Sequence, residues 1–259
     1  MFEDFDGGGT TPYSIANSVG AAPSLVAGGP TGSFLQLQNG TANANNAVAF
    51  NEDPTVTGPR PHGKILSADF RLTVNGASGE TAALGFGYAA IGPWGTSGPR
   101  NPGFEDPAHD WNAPAYQGAV MVSIDVSPGS DVVSLSGFGS QLASVDVQPM
   151  LNLDDGKFHR GVLTVTPDPS DATKAMFDLD IIEDVHGAAI SHSILAGLPA
   201  NINLSGLPGN RVISGATSTN LEFTADLDNV GVRIIPEPGG LALALMALVG
   251  LCRMGRRRV

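Results

Sequence analysis

Between residues 64 and 74 the chain alternates with strict period two. Leu66, Ala68, Phe70, Leu72 and Val74 fall on one face, and Ser67, Asp69, Arg71 and Thr73 on the other. Such alternation specifies a strand with one buried face, since successive side chains of an extended backbone point to opposite sides. Residues 119–126 repeat it, with Val120, Val122, Ile124 and Val126 expected inside and Met121, Ser123 and Asp125 outside. Residues 175–182 repeat it again, with Phe177, Leu179 and Ile181 inward. No stretch before Pro236 holds apolar spacing of helical period for three turns. The body must therefore be built from strands.

Shorter runs at 33–37, 47–50, 82–90, 132–138, 158–166, 211–215 and 227–235 read as further strands. Asn39-Gly40 reads as a hairpin turn joining 33–37 to 47–50, Asn75-Gly76 as the turn before 82–90, and Pro128-Gly129 as the turn before 132–138. Gly85 and Gly87 inside a strand mark a bend or a close backbone approach. The chain carries 34 glycines and 19 prolines with no Gly-X-Y period, well above the ~12% background and in keeping with many turns. Ten or so strands at short spacing imply an all-β, two-sheet sandwich over residues 1–235.

Net charge is −12. That acidity disfavours nucleic acid and anionic membrane surfaces as partners. The one cysteine, Cys252, excludes an intramolecular disulfide and a thiolate metal cluster. His62, His109, His159, His186 and His192 lack paired metal-ligand spacing, and no Gly-x-Ser-x-Gly is present. His186 and His192 read as loop residues, and His159 as a packing residue at a strand start.

The end of the chain differs from the rest. Pro236-Glu237-Pro238 is followed by an unbroken apolar and glycine block at 239–252, then by Arg253, Arg256, Arg257 and Arg258. An apolar block closed by arginines is the pattern of a membrane segment whose positive end stays in the cytoplasm. As a helix the block reaches only about 21 Å, short of the ~30 Å hydrocarbon core, so a buried terminal helix is the alternative. The order Pro-Glu-Pro, apolar helix, Arg-rich end resembles the PEP-CTERM sorting signal of Gram-negative bacteria. The resemblance implies a single transmembrane helix, an exosortase membrane protease as partner, cleavage near Pro236-Glu237-Pro238, and delivery to the surface or exopolysaccharide matrix. Export requires a leader, and Met1-Phe2-Glu3-Asp4 has neither a basic nor an apolar region. The expectation is that the natural start lies upstream of Met1.

Two motifs resemble those of concanavalin A-like jelly rolls, the laminin-G and L-type lectin relatives. Asp155-Gly156-Lys157-Phe158-His159 resembles their Asp-Gly-x-aromatic-His turn, and Asp226-Leu227-Asp228-Asn229-Val230-Gly231-Val232 their closing strand. Glycosidases of that class carry Glu-x-Asp-x-x-Glu. Asp178-Leu179-Asp180-Ile181-Ile182-Glu183 has nearly this spacing, but Asp178 stands where the attacking glutamate would be. A carboxylate shortened by one methylene is set back ~1.5 Å, a costly misplacement. The reading is therefore a strand with solvated carboxylates and no catalytic residue.

Residues 91–117 lack strand periodicity, and loops of that length are often functional. The loop holds both tryptophans, Trp94 and Trp111, together with Tyr116, Asp110 and Asn112. Aromatic faces beside amide and carboxylate groups suit sugar rings, which makes these five the candidates for glycan contact. The alternative is that the tryptophans pin the loop to the sandwich. Glu105, Asp106 and Asp110 are candidate oxygens for Ca²⁺, but no metal or other cofactor is assigned. The sequence thus reads as an exported, non-enzymatic, lectin-like surface protein with exopolysaccharide as a candidate partner. A glycoside hydrolase and a structural matrix filler are the alternatives.

Overall fold

The computed structural model describes residues 2–3, 13–29, 32–41, 44–50, 63–76, 81–89, 120–137, 140–148, 150–202 and 211–235. The strands along these residues are β1 (Phe2–Glu3), β2 (Tyr13–Val19), β3 (Ser24–Gly29), β4 (Gly32–Thr41), β5 (Asn45–Phe50), β6 (Lys64–Asn75) and β7 (Thr81–Ala89). They continue with β8 (Val120–Ser127), β9 (Ser130–Gly137), β10 (Ser140–Asp146), β11 (Asp155–Asp168), β12 (Asp171–Glu183), β13 (Ile190–Ala200), β14 (Arg211–Thr219) and β15 (Glu222–Ile234). Two antiparallel sheets result. The first runs β13-β12-β11-β6-β15-β4-β3, with β1 also against β15, and the second runs β10-β9-β8-β7-β14-β5-β2.

Period two decides which side chains meet between the sheets. Leu66, Ala68, Phe70 and Leu72 of β6, Leu163 and Val165 of β11, and Phe177, Leu179 and Ile181 of β12 are buried against Leu84, Phe86, Val122, Ile124 and Val212 of the second sheet. Each such Leu, Val or Phe side chain contributes ~1.5–3 kcal/mol on burial. The rings of Phe70 and Phe86 stack across the core at 6.5 Å. Gly161 lies opposite, where a Cβ would stand 2.5 Å from Cζ of Phe86. The two sheets can approach there only because residue 161 has no side chain.

Several local expectations fail for one reason: consecutive strands change sheet. Residues 33–37 and 47–50 do not form a hairpin, because β4 pairs with β15 and β3 while β5 pairs with β14 and β2. Asn39 and Gly40 lie inside β4, with Gly40 at φ +73°. β6 and β7 likewise belong to different sheets. Pro128-Gly129 does close the β8–β9 hairpin, with Ser127 opposite Ser130. Met121 and Ser123, expected outside, are buried. The strands β2, β3, β10 and β13 carry alternation too weak to read from sequence, and β13 takes His192 out of the loop expected for it. Among the described residues no helix is long and apolar enough to cross a membrane. Pro236, Glu237, Pro238, Arg253, Arg256, Arg257, Arg258 and the block at 239–252 lie outside the described residues.

The ammonium of Lys64 sits 5.6 Å from the centre of the Tyr88 ring, so the start of β6 and the end of β7 share one pole of the sandwich. Tyr88 stands opposite both Val120 and Val212, Ala89 opposite Arg211, and Ile234 opposite Lys64. The connection 90–119, the entry to β14 and the exit of the chain after Ile235 are therefore all attached at that pole.

Candidate functional site

The residues expected to contact glycan, Trp94, Trp111, Tyr116, Asp110 and Asn112, and the oxygens considered for Ca²⁺, Glu105, Asp106 and Asp110, lie outside the described residues. What the structure fixes is where their segment is attached. Its flanking strands β7 and β8 are adjacent and hydrogen-bonded from Ala82–Val126 through Tyr88–Val120. The connection 90–119 thus starts and ends on two neighbouring, largely buried strands of one sheet.

Asp178 and Glu183, the end carboxylates of the motif on β12, do not face the same side of the sheet. Pairing with β11 runs without interruption from Ala175 to Ile182, so alternation along β12 is regular. Phe177, Leu179 and Ile181 point into the core, which puts Asp178 and Asp180 on the outer face and Glu183 on the opposite one. Asp178 accepts a hydrogen bond from the Gly197 amide at 2.7 Å, and Glu183 lies 3.2 Å from Nε2 of His192. Each is occupied by edge strand β13. Among the described residues no group of His, Cys, Asp or Glu has the geometry to hold a metal ion.

The arrangement that sequence reasoning missed lies on the outer face of the first sheet. Asp69, on the polar face of β6, and Asp226 and Asp228 of the closing-strand motif are fully buried there. Asp226 stands opposite Arg71 on β6 and Gln36 on β4. Its Oδ2 accepts from Nε and Nη2 of Arg71 at 2.9 and 2.7 Å, and its Oδ1 accepts from Gln36 at 3.1 Å. The Arg71 guanidinium lies 4.9 Å from the ring centres of both Phe34 and Phe158, two rings that meet edge to face at 6.1 Å, so the cation packs against an aromatic pair. One step along, Asp69 stands opposite Arg160 and Asp228. It accepts from both Nε and Nη2 of Arg160, the latter at 2.8 Å, and from Nδ2 of Asn229 at 2.9 Å.

Burial pushes the Asp226 carboxyl above its usual value, and Arg71 and Gln36 offset this only in part. The Asp69 carboxylate raises Arg160 in turn. The pairing register is interrupted between Asp228 and Gly231, with Asn229 in the left-handed region at φ 47°. That bulge turns the Asn229 amide onto Asp69. Chemically the ladder is a set of matched donors and acceptors spanning β4, β15, β6 and β11. It staples the sheet and offers no free nucleophile or base. The signal for it was present as Asp69 and Arg71 on the polar side of β6 and as the Asp-x-Asp-Asn closing motif; what linked them was register, which sequence does not show.

The Asp-Gly-x-aromatic-His turn forms a second closed cluster. Asp155 accepts from the Lys157 amide at 2.8 Å and lies 3.1 Å from the Lys157 ammonium and from Nε2 of His159. Burial pushes the Asp155 carboxyl up, but Lys157 and His159 outweigh it and hold the group below its usual value. His159 is fully buried with its ring 5.6 Å from that of Phe70, as expected for a packing residue. Burial lowers its pKa despite the opposing effect of Asp155.

Comparison with solved structures identifies the architecture. Lectin II from Ulex europaeus superposes with a TM-score of 0.55 at 12% identity, over 91% of this chain and 99% of that one. A lectin from Bauhinia forficata in complex with GalNAc gives 0.54 at 10% identity, over 91% and 97%. The enzymatically active domain of tailspike protein 2 from bacteriophage CBA120 gives 0.50 at 13% identity, over 90% of this chain and 30% of that one. The chain thus has the fold of the legume lectins, a lectin-like β-sandwich. No family model matches it, and no curated protein matches it by sequence.

Proposed function

We propose that this chain is an exported surface or matrix protein whose lectin-like sandwich holds polysaccharide without cleaving it. The observation that carries this reading is the attachment of the 90–119 connection, with Trp94, Trp111 and Tyr116, to adjacent buried strands at one pole of a lectin-like sandwich. A rigid scaffold presenting an aromatic loop is what sugar-ring stacking requires. The binding partner is an exopolysaccharide. The non-enzymatic part of the proposal is supported by β12, where Asp178 and Glu183 fall on opposite faces and each is engaged by β13.

The C-terminal segment supplies the address. Pro236-Glu237-Pro238, the apolar block and Arg253, Arg256, Arg257 and Arg258 act as a sorting signal that an exosortase recognises and cuts. Ile235, the residue before Pro236, donates its amide to the Gly63 carbonyl at 2.7 Å, which ties the chain to the sandwich just ahead of the signal. Fractionation of the native host followed by mass spectrometry tests the reading. Recovery from the surface or matrix with a C-terminus near Pro238 is the expected result, and an intact chain confined to the cytoplasm would overturn it.

A further inference from the structure

The longest connections between the described strands, 51–63, 90–119 and 201–210, lead into β6, β8 and β14. Register attaches all three to the pole from which the chain leaves for its apolar end. Ala49, next to the end of β5, stands opposite Ile213 near the start of β14, and Ile213 stands opposite Gly87 near the end of β7. Ala200 at the end of β13 stands opposite Ala175, whose other partner, Pro167, lies two residues beyond the Val165–Lys64 pair. Ile235 donates to Gly63 at the head of β6. Only Pro236, Glu237 and Pro238 then separate Ile235 from the apolar block at 239–252. Fully extended, that span reaches about 14 Å from Ile235 to the first residue of the block. A block seated in a bilayer therefore holds this pole close to the lipid.

Two further features suit the pole to that position. The 90–119 connection carries both tryptophans of the chain, Trp94 and Trp111, with Tyr116. Trp and Tyr favour the headgroup layer, where the ring meets an apolar boundary and its N–H or O–H stays wet. Charge divides the same way. Asp131, Asp146, Asp154, Asp155 and Glu222 lie toward the far pole, where Lys157 opposes them. At the near pole Lys64, Lys174, Arg211 and Arg233 offset Asp168, Asp171 and Asp178. The connections there add Arg60 and Arg100 against Glu52, Asp53, Glu105, Asp106 and Asp110, which leaves that pole near balance. An anionic bilayer surface repels the far pole more strongly than the near one.

Resting on the reading of 239–252 as a membrane segment, we propose that the anchored chain stands on the bilayer by this pole. The 90–119 connection then lies against the headgroup layer, and polysaccharide reaches it only after the tail is cut. Processing thereby releases the protein and opens its binding surface in one step. The full chain in phosphatidylcholine vesicles, with a nitroxide on a fraction of the headgroups, tests this. Flotation with the vesicles reports the anchor. Quenching of tryptophan fluorescence reports the orientation, since the chain has no tryptophan outside the connection. Loss of fluorescence is expected. Inserting about 20 flexible Gly/Ser residues between Ile235 and Pro236 adds about 25 Å of mean span. The insertion is expected to restore most of the fluorescence and to raise retention of host exopolysaccharide on the vesicles at least about tenfold. A chain that floats with unquenched tryptophans, or that holds polymer equally well with and without the insertion, overturns the proposal and leaves the anchor standing. A chain that does not float overturns both. Polymer held by neither form overturns the glycan reading and the closure with it, while quenching still decides how the chain stands.

Discussion

Arg71 directs both Nε and Nη2 to a single oxygen of Asp226, its direct neighbour across the β6–β15 pair, while its guanidinium packs against the edge-to-face pair of Phe34 and Phe158. The carboxylate is fully buried and the arginine about a third exposed. A buried ion pair is costly to break from one side because the remaining charge has no counterpart.

Arg71→Ala is therefore expected to cost about 3 kcal/mol, at the lower end for such pairs because the arginine is partly solvated. Arg71→Met with Asp226→Leu is expected to cost less than the sum of the two single changes. Urea unfolding of the four proteins gives the coupling, and strict additivity would show the pair to be idle.

Asp131 sets a pH dependence. Its side chain is fully buried, Oδ2 accepts the Leu153 amide at 2.7 Å, and Oδ1 has no hydrogen-bond partner. Burial, with smaller effects from Asp154, Asp146 and Asp155, pushes its pKa from 3.8 to about 6. The folded state binds this proton more tightly than the unfolded state. The contribution is thus fully present below pH 3.8 and is lost as pH rises through about 6, by at most about 3 kcal/mol. Asp131→Asn keeps an acceptor for Leu153 and is expected to raise stability at pH 7 by ~1–2 kcal/mol while flattening the profile between pH 4 and 7. Thermal melting across that range checks both effects.

Gly161→Ala is expected to destabilise by ~1–3 kcal/mol through overpacking against Phe86, where the added carbon would stand at 2.5 Å. The same change combined with Phe86→Leu is expected to recover part of the loss. A neutral Gly161→Ala would mean the sheets can separate locally without cost.

Asp178→Asn and Glu183→Gln, alone or together, are expected to leave the polysaccharide-bound fraction and the polymer length unchanged. Polymer that is shortened by the unaltered protein but not by either variant would restore the glycosidase alternative.

Much of the fold was legible because β6, β8, β11 and β12 each carry a clean apolar face that only a two-sheet core can bury. The sheet assignment was not, since a turn-forming pair such as Asn39-Gly40 can also be accommodated within a strand, and local sequence does not reveal that the next strand lies in the other layer. The buried aspartates were misread for the same reason. Alternation places Asp69 on the polar side of β6, but only register brings Arg160 and Asn229 onto it. Along β12 it is the unbroken pairing with β11, which sequence does not show, that sets Asp178 and Glu183 on opposite faces.

The claim that the sandwich holds a glycan through its aromatic connection is tested most directly by affinity electrophoresis in gels cast with the host exopolysaccharide. The unaltered chain is expected to be retarded, and Trp111→Ala to migrate as in a gel without polymer. Equal mobility of the unaltered chain with and without polymer, or equal retardation of both proteins, would contradict it.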